Sequence, residues 1–192
     1  DYWNIWVRNA GMKPYKQEPT LEILTGKYNV IVFKHCFPVS NIEPDVGSPN
    51  VASSERRIEN YKLQYAALKK KMREFPKTRF LVWTGAAQVN SDTNEAQARR
   101  AKAFFDWVRT EWDEKGDNIY LWDFRTLETE GSLYAKPANT SGDAHPNESF
   151  SRQVAPLLCQ RIVEVIRGRG DAGDLLGRGG SGQLATPTPA SP

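Results

Sequence analysis

The chain has 192 residues, 39% of them hydrophobic and 26% charged, with a formal net charge of +3 at neutral pH. That length suits one domain with a sizeable core, and the composition is that of a globular protein rather than a disordered one. The basic excess is small and spread along the chain, which argues against nucleic acid as a partner, and no run approaches the roughly 20 apolar residues of a membrane span.

Residues 1–20 combine Tyr2, Trp3, Trp6 and Tyr15 with Gly11 and Pro14, too aromatic for a free tail and too irregular for a defined element. They are expected to pack onto something. Tyr28-Asn29-Val30-Ile31-Val32-Phe33 is a short β-branched and aromatic run that predicts a buried strand. From Ser54 to Phe75 the residues Ile58, Tyr61, Tyr65, Leu68, Met72 and Phe75 recur at spacings of three and four, a helix ended by Pro76. Phe80-Leu81-Val82-Trp83-Thr84, stopped by Gly85, predicts a second strand. A second helix is expected from Thr93 to Lys115 through Ala96, Ala101, Phe104, Phe105, Val108 and Trp112, capped by Asp92 or Thr93 and stopped at Gly116. Asn118-Ile119-Tyr120-Leu121-Trp122-Asp123 is the third strand. A last helix should start near Pro146-Asn147-Glu148 and reach about Arg167, bent where Pro156 removes a backbone hydrogen bond.

Strands alternating with helices predict an α/β fold, a parallel sheet with helices on both faces. Ligands in such sheets bind beyond the carboxyl ends of the strands, here in loops 34–53, 85–92 and 124–147. Three strands are few for this length and the aromatic start reads as though a sheet had already begun, so a first strand is expected upstream of Asp1. Residues 1–167 form the single domain. From Gly168 the composition turns to Gly, Arg and Asp and then to Thr-Pro repeats, and 168–192 is expected to be a disordered tail.

The chain has two histidines. His145 lies in Ser141-Gly142-Asp143-Ala144-His145-Pro146-Asn147, just before the last helix, with a carboxylate two residues ahead of it. An imidazole can move a proton at neutral pH, and a base serving a nucleophile needs an acceptor to orient it. The plainer alternative is a helix-capping loop in which Asp143 and Asn147 satisfy orphan N–H groups. His35 is a polar residue at a strand end, or it lines the same cleft as His145. Ser40 lies on a loop at the correct edge of the sheet but lacks the tight glycine turn that exposes a hydrolase serine.

Asp123, Glu128 and Glu130, with Arg125 among them, read as a solvated acidic loop rather than a metal site. No metal and no cofactor are expected. Cys36 and Cys159 show no disulfide or metal spacing and are expected to be buried thiols. Trp83, Trp107, Trp112 and Trp122 read as core, whereas Trp3 or Trp6 could offer a sugar platform.

Asp143 and His145, set immediately before the final helix of an α/β chain, resemble the fifth sequence block of the SGNH hydrolases, the GDSL-type esterases and lipases. The resemblance spans roughly residues 20–167 and is carried mainly by 141–150. It implies a doubly wound, flavodoxin-like sheet and hydrolysis of a small-molecule or carbohydrate ester, such as a sugar-borne acyl group. His145 would be general base and Asp143 its orienter. The family spacing is Asp-x-x-His; here Gly142 stands three before His145 and the aspartate comes one residue later. The family's Gly-Asp-Ser block is absent from the chain, which places the nucleophilic serine upstream of Asp1. Where the family has Gly-x-Asn-Asp, the chain continues Lys34-His35-Cys36-Phe37-Pro38-Val39-Ser40-Asn41, making Asn41 the candidate oxyanion donor, with Ser40 and His35 on the substrate side. The rival expectation is a non-catalytic α/β domain that binds a ligand or partner in the same crevice.

Overall fold

The computed structural model describes residues 2–36 and 40–179. Three strands, β1 (Val30–Lys34), β2 (Arg79–Trp83) and β3 (Ile119–Trp122), form one parallel sheet in sequence order. Register puts Lys34 beside Trp83 and Trp83 beside Trp122, so one row of side chains closes the carboxyl edge.

Alternate residues of each strand serve opposite faces, and the central strand is apolar on both. Phe80 and Val82 join Ile31, Phe33, Ile119 and Leu121 in the larger core. Over that face pack α2 (Ile58–Arg73), through Tyr65, Leu68 and Met72, and α3 (Glu95–Trp107), through Ala101, Phe104 and Phe105. On the other face Leu81 and Trp122 meet Phe150, Val154 and Val165 of α5 (Glu148–Ile166). That second face is covered over β2 and β3 but not over β1, where Val32 is 39% exposed and Lys34 is exposed too.

The mixed α/β architecture with a parallel sheet matches the expectation, and the aromatic start does pack. Trp3–Arg8 is a π-helical segment with both tryptophans buried, and the Trp6 indole N–H donates to the Pro19 carbonyl at 3.2 Å. The burial of Trp6 in the larger core removes the sugar-platform role from it. A short α1 (Leu21–Thr25) follows.

Several expectations are corrected. Strand β1 begins at Val30, because Tyr28 is exposed and precedes the ladder. The second helix ends at Trp107 and runs on as a π-helical turn, Val108–Trp112. Its cap is Asn94, whose side chain accepts the Gln97 N–H, rather than Asp92 or Thr93. Both cysteines are free and exposed; Cys159 falls off the Phe150, Val154, Val165 stripe that faces the sheet.

The composition change at Gly168 does not end the ordered chain. Asp123 N–H donates to Leu175 O at 2.9 Å, the Trp122 indole to Leu176 O at 3.2 Å, and Arg161 to Gly170 O at 2.7 Å. Backbone acceptors hold this stretch, together with Leu175, which packs against the larger core. The rest of the expected tail, 180–192, lies outside the described residues. Among the described residues no helix is long and apolar enough to cross a membrane.

Candidate functional site

Local hydrogen bonds build the loop that carries His145. Asn147 anchors it: its side-chain oxygen caps α5 by accepting the Phe150 N–H at 2.9 Å, and its amide nitrogen donates to Ala138 O at 2.8 Å and Thr140 O at 3.2 Å. The Ser141 N–H reaches back to His145 O at 3.0 Å, closing a turn in which Gly142 takes φ +88°, a conformation L side chains rarely adopt.

Inside this turn Asp143 uses both oxygens on one residue. Oδ1 accepts the His145 backbone N–H at 2.8 Å and Oδ2 lies 2.9 Å from His145 Nδ1. The backbone N–H first, and then the ring, hold the Asp143 carboxyl below the usual aspartate range. Both side chains are well exposed, 64% for His145 and 59% for Asp143. Of the two residues expected to satisfy orphan N–H groups, Asn147 caps the helix and Asp143 accepts the His145 N–H while its other oxygen reaches the ring.

His145 lines a hollow of about 210 Å³ at the carboxyl edge of the sheet, on the α5 face. Trp83 is its aromatic centre, with ring centroids 4.5 Å from Trp122 and 4.8 Å from Phe124. Val154, Ala155 and Leu158 of α5 form another wall. Lys34 joins the lining with its ammonium 5.0 Å from the Trp83 centroid, a distance at which cation and ring attract.

The other expected site residues are placed differently. Ser40 is 2% exposed and donates its hydroxyl to the Ala86 carbonyl. Because Ala86 lines the hollow, Ser40 braces the wall from behind. Asn41 is half-buried, with a shielded Oδ1 that has no hydrogen-bond partner among the described residues. His35 does not share the hollow of His145: it lines a separate one of about 280 Å³ with Tyr2, Trp3, Tyr61 and Gln64.

The His35 ring sits between Tyr2 and Tyr65, with centroids 5.2 and 5.1 Å away. Loss of water there pulls its pKa down to about 3. Burial also raises the Tyr65 phenol. Both groups are therefore uncharged at neutral pH, and a 2.7 Å hydrogen bond joins the Tyr65 hydroxyl to His35 Nδ1.

The acidic stretch after β3 is not the solvated loop its composition suggested. Phe124–Thr129 forms a short helix, α4, and buries Asp123 and Glu128, leaving Glu130 exposed. Asp123 accepts from Thr84 at 3.1 Å, Thr126 at 2.6 Å and Arg109 at 3.0 Å. Glu128, 2% exposed, accepts the Ala87 N–H, and burial pushes its carboxyl up to about 8. Arg125 donates to Leu133 O at 3.1 Å. Ser40 and Glu128 thus grip the two ends of one peptide group, Ala86–Ala87, in the segment leaving β2.

Sequence reasoning missed Lys34, Trp122 and Phe124 as lining residues. Their one available signal was position at or just beyond the end of a strand run. Among the described residues no group of three or more His, Cys, Asp and Glu could hold a metal ion. No family model, curated protein or solved structure matches the chain.

Proposed function

We propose that the chain is the larger, C-terminal part of an SGNH-like ester hydrolase whose complete domain has a doubly wound, flavodoxin-like sheet. One observation carries the reading: a histidine held through Nδ1 by a carboxylate, at the carboxyl edge of a parallel sheet and beside an apolar hollow.

In this mechanism the neutral His145 keeps its proton on Nδ1, facing Asp143, and presents Nε2 as the base. Nε2 removes the proton from a serine hydroxyl as the serine oxygen attacks the ester carbonyl, and Asp143 stabilises the imidazolium. Asn41 donates its amide N–H to the developing oxyanion. The alcohol leaves with the proton from His145, and water then releases the acid by the same steps. The serine belongs to sequence upstream of Asp1. Ser40 does not suit the role, since its hydroxyl is already spent on the Ala86 carbonyl.

The test is to express the chain with its native upstream sequence and measure fluorophosphonate labelling and aryl-ester turnover. The expected result is a label on an upstream serine, with labelling and turnover both lost in His145→Ala. Labelling that persists in His145→Ala would overturn the assignment. Robust serine-dependent turnover by residues 1–192 alone would remove the upstream serine.

The hollow itself favours a second reading, a non-catalytic domain that binds a ligand there, since its apolar walls require no nucleophile. Saturable ligand binding without any labelling of the extended protein would select it.

A further inference from the structure

The hollow beside His145 carries more chemical information than its position. Its walls are aromatic and aliphatic, and among its lining residues there is no aspartate or glutamate. The single permanent charge in the lining is Lys34, an exposed residue on the half of the sheet face that α5 leaves uncovered. The Lys34 ammonium is set over the Trp83 ring at 5.0 Å. No ion pair engages it among the described residues. The acid that faces it electrostatically, Glu128, is buried, holds the Ala87 N–H, and has its carboxyl pushed up to about 8 by burial; Asp143, beside the hollow, has both oxygens occupied by His145. A ligand group reaching Lys34 from the hollow therefore meets a cation and the aligned His145, with Ser151 the one other polar side chain among the described lining residues.

Size narrows the ligand further. A volume of about 210 Å³ is below the roughly 300 Å³ at which sites for drug-sized molecules begin. At about 30 Å³ per water-sized group, it takes about seven non-hydrogen atoms, the size of a benzyl group or a short branched acyl chain. Ala155, exposed on α5, leaves this space open where a larger side chain would close it.

We infer that this hollow binds a small apolar carboxylic acid, with the hydrocarbon against Trp83, Trp122 and Phe124 and the carboxylate at Lys34 and His145. The inference rests on the hydrolase reading for its biological sense, because such an acid is the acyl half that ester cleavage at His145 releases. Its physical basis is independent of that reaction: apolar burial supplies affinity, and the ammonium selects an anion over its neutral isostere.

Calorimetric titration of the 192-residue protein with phenylacetate, and separately with phenylacetamide, tests it. The expected result is saturable 1:1 binding of the acid, with the amide about 10-fold weaker, equivalent to about 1.4 kcal/mol. Lys34→Met should weaken the acid about 10-fold and leave the amide unchanged, and Ala155→Trp should abolish both by filling the space. Absence of saturable binding, equal affinity for acid and amide, or full binding by Ala155→Trp overturns the inference. The two readings fail separately. Loss of His145-dependent labelling with phenylacetate binding intact removes the hydrolase and keeps the acid site, whereas intact labelling without binding does the reverse.

Discussion

Asp143 holds His145 at two points, the backbone N–H at 2.8 Å and the ring Nδ1 at 2.9 Å. The aspartate two residues ahead therefore reaches both the peptide and the ring of the histidine. The turn makes this feasible: Gly142 at φ +88° and the Ser141 to His145 bond bring the carboxylate round to the ring side of the following peptide.

Because His145 lowers the Asp143 carboxyl through both its backbone and its ring, His145→Ala should remove only the ring's share. Carboxyl-carbon NMR titration should show Asp143 moving up toward, but not reaching, the ordinary aspartate range. A fall would contradict the geometry. In the protein with its upstream sequence, Asp143→Asn should lower kcat about 100-fold with little change in KM, since the amide can hold either tautomer of the ring.

His35 contributes a pH-dependent stability with a defined sign. Its folded value of about 3 is below the 6.5 of the unfolded chain, so between those limits the unfolded state binds more protons. Its contribution is present in full above pH 6.5 and declines on acidification toward pH 3, by at most about 1.4 kcal/mol per pH unit. Urea melts of wild type and His35→Asn should diverge in that window. The difference between them isolates His35 from Asp113, whose carboxyl burial raises to about 6 and which acts in the opposite direction.

Glu128 has the reverse dependence. A carboxyl raised from 4.5 to about 8 is protonated in the folded state while the unfolded chain has already lost its proton. Stability relative to Glu128→Gln should therefore fall as pH rises from 4.5 to 8 and level off above that. The groups facing it are Arg125, Lys34 and Asp123, together with the Ala87 N–H. Melts of the pair at pH 5, 6.5 and 8 check the prediction, and an unchanged difference across the range would refute it.

Gly85 ends β2 where there is no space for a side chain. A Cβ there would lie 2.2 Å from Phe105 Cζ, so Gly85→Ala must displace a buried ring or the segment that Ser40 and Glu128 grip. A loss of about 1–3 kcal/mol is expected, read as a lower denaturant midpoint at unchanged slope. Gly47→Ala makes a useful contrast, because nothing lies within 4 Å of its Cβ position and any loss would come from its φ of +73° alone.

How much was legible from the chain differs by the kind of interaction. The strands were readable because a strand covered on both faces has few polar gaps, as in Phe80-Leu81-Val82-Trp83. Helices α2 and α5 were readable from residues such as Tyr65, Leu68 and Met72, which repeat with the helical period. Helix α4 was not. Its six residues are too few for a periodic stripe, and Asp123 and Glu128 became buried only because Thr84, Arg109 and Ala87 arrived from elsewhere to satisfy them. Nothing in the local composition of 123–130 announces those partners.

The candidate site divides along the same line. The Asp143 and His145 pair could be read directly, since two residues of chain and a glycine turn decide it through local hydrogen bonds. The parallel α/β class also followed from the order of apolar runs. Only the tertiary structure decided what stands beside the histidine. Strand register set Lys34, Trp83 and Trp122 in one row, and α5 packed over β2 and β3 but stopped short of β1. That placement depends on contacts between segments distant in the chain, whose energies come from burial shared across the sheet rather than from any one stretch of sequence.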